Sequence, residues 1–400
     1  MRALSNWLDS YLEYTSDQEA PEKLHLWAGF AIMAAALRRQ VYMDRVFYKL
    51  FPNIYVLIVA ESARVRKSVA MDMSIAMLRE AVPEIMIMTG STTPEGLIKH
   101  MNRTTVIKTE DPKHPIIRQD SHVLIHADEL ATLFGYDRQR ASRMAILLTE
   151  VYSSKDQHTH TTAKDGQVVL HNLYPTLLAA TDPRNLKVLP EEAVGGLIGR
   201  LIIVTASQKR KQKTVWEADH HRDILQKALI IDLARISSLT GIVTVTPAAR
   251  ELFSAWYDKQ SALEFNEPFL DAFHERAHDS ALKLAMLLSI SMGNDLIVTD
   301  KHMLGGIHFI EQQMPEFSRV VNWAGASVFQ QNRARLIDLV RRSGGVSTRR
   351  IVLRSLKISS DDLTALESTL VQEGTLTATA DVIRKEVIYK LSVDEMQRSR

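Results

Sequence analysis

The chain has 400 residues, 46% hydrophobic and 24% charged, with a net charge of +2; it can bury a large core in two or three domains, and its overall charge singles out no polyanionic partner. It contains no cysteine, which excludes disulfides and cysteine-ligated zinc and fits a reducing cytosol. The first nine residues lack the apolar run of a secretory signal. The longest apolar stretch, residues 26–37, is too short to span a bilayer and ends at Arg38-Arg39. A cytoplasmic protein without a membrane segment is expected.

In chain order, apolar residues recur at helical spacing over residues 7–39, with Pro21 suited to a first helical turn. Continuous apolar, β-branched runs follow at residues 54–60, 121–127, 175–180 and 201–204, the composition of strands buried on both faces. Helical segments at residues 69–82, 94–101 and 141–152 lie between them. This alternation predicts a mainly parallel α/β sheet with helices on both sides. Beyond residue 214 the pattern turns helical, over residues 223–237, 247–263, 269–292 and 299–324, and predicts a helical domain or lid. Short helices at residues 332–342, 348–356 and 360–373, the last capped by Ser359, precede strands at 375–380 and 385–391. Three helices and a hairpin are the order of a winged helix. The expected segments are a helical N-terminal extension (1–50), an α/β core (51–213), a helical lid (214–330) and a winged helix (331–400).

The strand at residues 54–60 leads into Glu61-Ser-Ala-Arg-Val-Arg66-Lys67-Ser68 and then a helix. A phosphate-binding loop needs that order: strand, tight loop, a lysine for the phosphates, a hydroxyl for magnesium, and a helix start. Glycine is missing, because Glu61 and Arg66 stand at the two glycine positions of G-x-x-x-x-G-K-[ST]. An exposed basic helix start is the competing reading of Arg66-Lys67-Ser68. The strand at residues 121–127 ends in Asp128-Glu129, the pattern in which an aspartate holds magnesium through water and a glutamate polarises the attacking water. Both motifs, in this order and each at a strand end, point to ATP and Mg2+, with Arg66 and Lys67 on the nucleotide, Arg66 doing by charge what glycine leaves to the backbone, and Ser68 and Asp128 serving the metal.

Four stretches carry a resemblance: Leu50-Phe-Pro-Asn-Ile-Tyr-Val-Leu-Ile-Val, Arg66-Lys67-Ser68, Ser91-Thr-Thr-Pro-Glu-Gly-Leu, and Gly195-Gly-Leu-Ile-Gly-Arg200-Leu-Ile-Ile-Val. Over about residues 10–290 the chain resembles the P-loop family of helicase-like proteins of phages and mobile elements, related to superfamily III and other hexameric AAA+ helicases. That resemblance implies a P-loop NTPase core of the AAA+/RecA-like kind, in which arginine before the P-loop lysine is a familiar variant. It implies a γ-phosphate sensor at Thr181 or Asp182 and an arginine, Arg200, presented to the next subunit's nucleotide. An arginine in trans requires a ring or filament. Arg276 is the implied lid residue, with Lys283 competing for the role.

Residues 157–171 read as a hairpin around Ala163-Lys164-Asp165-Gly166. The resemblance implies a hairpin aimed into a central channel, with Lys164 at the tip and His160 behind it touching single-stranded DNA. His158 with His160, and His220 with His221, lack a third ligand of diagnostic spacing. Two basic groups have each a solvated-face and a polyanion reading: Lys209-Arg210-Lys211-Gln212-Lys213, and the arginines at 333, 335, 341, 342, 349, 350 and 354. The third C-terminal helix carries Asp361, Asp362, Glu367 and Glu373 and no basic residue, so backbone contact or protein docking suits this end better than base readout. The leading expectation is an ATP-driven DNA helicase or translocase acting in replication of a phage or mobile element, with a primase on another chain among its partners. The alternative is an ATP-binding loader or scaffold that turns over little ATP; a small-molecule P-loop kinase is disfavoured.

Overall fold

The computed structural model describes residues 2–61, 64–102, 104–107, 116–135, 137–162, 166–188, 196–213, 219–263, 268–324, 328–356, 358–381 and 386–392. The chain divides into two units, Met1–Val320 and Val321–Arg400.

The first unit begins with helices α1 (Trp7–Tyr14) and α2 (Glu22–Leu37), followed by short strands β1 (Val41–Asp44) and β2 (Lys49–Leu50). Then come β3 (Tyr55–Ala60), α3 (Lys67–Ala81), β4 (Ile87–Thr89), α4 (Pro94–Met101), β5 (Thr104–Ile107), β6 (Ile116–Gln119) and β7 (His122–Ala127). Helices α5 (Leu130–Phe134) and α6 (Arg138–Val151) lead to the hairpin β8 (Gln157–Thr162) and β9 (Gly166–His171), then β10 (Tyr174–Thr181) and β11 (Leu201–Ala206). Strands β11, β3, β10, β7 and β4 form one all-parallel sheet in that order. Every residue of β3, β7, β10 and β11 is buried, which is why these strands read as unbroken apolar runs. β4 was not expected from sequence: only three residues long and at the sheet edge, it is too short to show periodicity.

Two local expectations are corrected. The helices expected over residues 7–39 are α1 and α2, but residues 41–50, counted with them, hold strands: β1 pairs with β2, and in parallel with β12 (Gly241–Ile242). Helix α2 packs against β3, β7, β10 and β11, and thirteen of its sixteen residues are buried, so it is a layer of the core. The single helix expected over residues 299–324 is two helices meeting at Gln312, where Pro315 can stand only in a first turn.

Helices α7 (His220–Ser237), α8 (Pro247–Ser261), α9 (Pro268–Met292), α10 (Asp300–Glu311) and α11 (Gln313–Ala324) complete the helical part, with β13 (Thr244–Val245) pairing β14 (Ile297–Val298). Gly306 of α10 lies so close to α9 that an added Cβ would meet the Ala281 carbonyl oxygen at 2.4 Å.

The second unit holds α12 (Val328–Arg342), β15 (Val346–Thr348), α13 (Arg349–Leu356), α14 (Ser360–Gln372), β16 (Leu376–Asp381) and β17 (Glu386–Leu391). Its three strands form an antiparallel sheet in the order β15-β17-β16. Its core includes Leu336, Val340, Val352, Leu363, Leu370 and Tyr389. Ser359 caps α14, accepting from the Asp362 amide at 3.0 Å.

Candidate functional site

Strand register assembles the candidate site. Thr181 of β10 lies level with Val59 of β3, and Ala179 level with Ala127 of β7. Two residues beyond Ala127, Glu129 is therefore level with Thr181, and the Thr181 hydroxyl donates to Glu129 Oε1 at 2.7 Å. Asp128, Asp182 and the end of β3 converge at the same carboxyl edge, where parallel α/β sheets bind ligands. Thr181 and Asp182 are buried, Glu129 is half-buried and the Asp128 carboxylate is 60% exposed.

The other half comes from the turn into α3. Arg66, just before the helix, has φ +55° and ψ +36°, the left-handed conformation that glycine adopts freely and other residues at a cost of roughly 1–2 kcal/mol. The glycine geometry is thus kept without the glycine. The Arg66 guanidinium turns to Glu19 instead, its Nε donating at 2.8 Å. Lys67 is buried, with Nζ donating to the Ala60 carbonyl oxygen at 3.1 Å. Burial pushes its ammonium below the ordinary lysine range, against the upward pull of Glu129, Asp182 and Asp128. Ser68 is exposed. The first turn of α3 has no acidic residue and no side-chain cap, leaving the positive helix end open to an anion. Glu61 is exposed and paired with Arg64 at 2.7 Å; residues 62–63 lie outside the described residues.

Two further residues join the edge. His126 precedes Asp128 by two positions, and its Nε2 lies 3.6 Å from Asp128 Oδ1. Asp72, one turn beyond Ser68 on α3, brings a carboxylate to the same place; one ligand atom from each of Asp72, His126 and Asp128 lies within 4.8 Å of the others. Burial holds His126 below the usual imidazole range although Asp128 and Asp72 pull it up. Neither His126 nor Asp72 stood out in sequence, although strand period 2 and helix period 3.6 were the signals that join them to Asp128 and Ser68.

Arg200, Arg276 and Lys283 sit at the opposite edge. Arg200 immediately precedes β11, whose first residue is level with Tyr55 at the start of β3. Its Nη1 donates to the Gly196 carbonyl oxygen, and its guanidinium lies 5.8 Å from the Tyr152 ring centre. Arg276 donates to the Ala272 carbonyl oxygen at 2.7 Å. Gly199 lets the turn touch α9: an added Cβ would meet the Ala272 carbonyl oxygen at 2.4 Å. These arginines and Lys283 line a cleft of about 740 Å3. The hairpin β8–β9 has the expected antiparallel register and joins this same edge, where the Ser121 amide donates to the His171 carbonyl oxygen. His160 is half-buried; Lys164 lies outside the described residues.

Lys283 is 3% exposed, donates to the Asn53 carbonyl oxygen at 3.0 Å and to Oδ1 at 2.9 Å, and sits 3.9 Å from the Tyr152 ring centre. Burial pushes its ammonium down to about 7. Between that value and the unfolded-state lysine pKa the unfolded chain binds the extra proton, so this residue makes stability rise with pH from about 7 upward and flattens below it. Lys283→Met is expected to remove a slope of up to about 1.4 kcal/mol per pH unit, read from urea midpoints of both proteins between about pH 7 and 9.5.

All four basic residues of the 209–213 run are paired, as are three of the C-terminal arginines. Lys209 meets Glu19 at 2.9 Å, Arg210 meets Glu22 at 3.0 Å, and Lys211 and Lys213 both meet Asp17. Hydrogen bonds from Lys209 and Arg66 hold the Glu19 carboxyl down at about 2. In the second unit Arg333 pairs with Glu373 at 2.7 Å, Arg349 with Glu367 at 2.6 Å, and Arg350 with Glu386 at 3.7 Å. Comparison with protein-family models gives no match to this chain, and comparison with curated proteins gives no match either.

Proposed function

We propose that this chain is an ATPase of the P-loop kind, acting as a DNA helicase or translocase with hydrolysis at the interfaces between copies. The observation that carries the reading is the convergence of Lys67, Asp128, Glu129 and Thr181 at the carboxyl edge of β3, β10 and β7, beside the uncapped start of α3. The residues fit the group: the amides of Lys67 and Ser68 at the start of α3 and the Lys67 ammonium suit a triphosphate, and Ser68 with Asp128, both exposed, suit a hydrated magnesium ion. Magnesium held there would neutralise charge on the transferring phosphoryl.

Glu129 does the work on water. Its Oε1 accepts from the Thr181 hydroxyl at 2.7 Å, which fixes the carboxylate and leaves Oε2 to accept a proton from an attacking water. Lys67 brings its positive charge to the phosphates, and the buried strand ends exclude bulk solvent so that this charge acts at short range. Arg200 supports the interface part of the reading. It stands about six residues along the sheet from the level of Ala60, roughly 20 Å at strand rise, and so beyond reach of its own chain's Lys67. The three helices and antiparallel sheet of the second unit support a winged helix; with Arg333, Arg349 and Arg350 tied into internal pairs, it is better suited to backbone or protein contact than to base readout.

The test is ATP turnover with and without single-stranded DNA, for the wild type and Glu129→Gln. Expected are DNA stimulation of the wild type and a loss of about 100-fold or more in the variant. ATP binding without DNA-stimulated turnover would mark the loader or scaffold instead, and turnover unchanged in the variant would overturn the assignment of Glu129.

A further inference from the structure

At the candidate nucleotide site, two potential metal ligands that the hydrolysis reading leaves unused, His126 and Asp72, stand beside Asp128, which that reading assigns to magnesium. His126, next to the last residue of β7, has its side chain more than nine-tenths buried, and its Nε2 has no hydrogen-bond partner. A buried imidazole nitrogen without a partner is destabilising unless something occupies it. The atom points toward Asp128 Oδ1 at 3.6 Å, and Asp72 completes a group of three ligand atoms mutually within 4.8 Å. Ligands bound at about 2.1 Å to one ion stand about 3–4 Å apart, so small side-chain rotations close the set. Asp72 and Asp128 are exposed, which gives an ion an entry path past two carboxylates to a nitrogen at the back.

We propose that Asp72, His126 and Asp128 bind a divalent transition-metal ion directly, through one imidazole nitrogen and two carboxylates, in the absence of nucleotide. This donor set favours Zn2+, Co2+ or Mn2+ over Mg2+, which prefers oxygen ligands and retains its waters. The three residues come from two rigid elements, α3 and the end of β7, so the site is built before the ion arrives. The open face leaves coordination positions for water. The proposal does not rest on the nucleotide reading, because its probe is the metal alone.

The experiment titrates the full-length, tag-free chain, stripped with chelator, with Co2+ by visible absorption and with Zn2+ by calorimetry. One equivalent is expected to bind, displaced by Zn2+ and not by a large excess of Mg2+. His126→Asn and Asp72→Asn are each expected to weaken binding by at least about tenfold. Asp72 is exposed, so its variant keeps the test sound if the buried substitution fails to fold. The titration contains no nucleotide, so its outcome is read apart from the ATP-turnover test and either can fail alone. No saturable binding, or affinity unchanged in Asp72→Asn, overturns the proposal, as does displacement by Mg2+ at equal concentration.

Discussion

Arg200→Ala is expected to lower DNA-stimulated ATP turnover by about 1,000-fold or more, the usual contribution of an arginine that meets transferring phosphate charge, while ATP affinity changes little. The geometry adds a sharper expectation. Arg200 lies at the amino edge of β11, level with the start of β3, whereas Lys67 and Glu129 lie at the carboxyl edge; one chain cannot bring them together. Under the proposed reading, a working site takes Glu129 from one copy and Arg200 from the next. Mixing Arg200→Ala with Glu129→Gln chains, each inactive alone, creates junctions where the intact residues meet. If the copies assort at random in equal amounts, about one junction in four is competent, so activity near a quarter of wild type should return. A mixture no more active than its components under conditions of subunit exchange would refute action in trans. The side chain is half-buried beside Tyr152 and Arg276, and burial with the neighbouring Arg276 pushes its guanidinium down. Removing it relieves a like-charge contact, so a stability loss is not the expected cause of inactivity.

How much of this was legible in sequence depended on the length scale of the signal. The four long strands were legible because each is buried on both faces and so continuous in apolar composition; β4, with three residues, carries no such signal. Helix α2 was legible as a buried helix, but its role was not. A helix apolar all round declares that it is covered and says nothing about what covers it, and the sheet packed against it lies further along the chain. The strand pair β1–β2 escaped because its parallel partner β12 is about 200 residues away in sequence, beyond any local pattern.

The site divides in the same way. Lys67, Ser68, Asp128 and Glu129 could be named because each lies within a short run that states its own context, a strand end before a helix. The Thr181–Glu129 bond depends on the register of two strands, which is a tertiary fact. Charge was the least legible property. The run from Lys209 to Lys213 looks like a polyanion footprint until Asp17, Glu19 and Glu22 are brought beside it. Arg66 is similar: its sequence position suggests a hand on phosphate, yet its side chain is held by Glu19 and its backbone does what glycine would do. The backbone makes the left-handed turn at this position, and the charge is committed elsewhere.

Lys67→Met is expected to abolish ATP turnover and to weaken ATP binding by about 100-fold, because a charge-assisted contact to phosphate is worth roughly 1.5–3 kcal/mol and its loss leaves phosphate charge unmet. Stability should move the other way or not at all. The ammonium is buried and desolvated, and it makes one hydrogen bond to the Ala60 carbonyl oxygen at 3.1 Å. Replacing such a charge by an apolar side chain of similar length removes the desolvation cost along with the attraction of three nearby carboxylates, and the desolvation is the larger of the two. A thermal midpoint within a few degrees of wild type is therefore expected alongside lost binding. The pair of measurements discriminates. Lost binding with an unchanged midpoint assigns Lys67 to the ligand, whereas a midpoint lowered by about ten degrees or more would make it a structural cation holding Glu129, Asp128 and Asp182 together at the sheet edge. Retained ATP binding in a folded variant would remove the phosphate loop from the nucleotide reading.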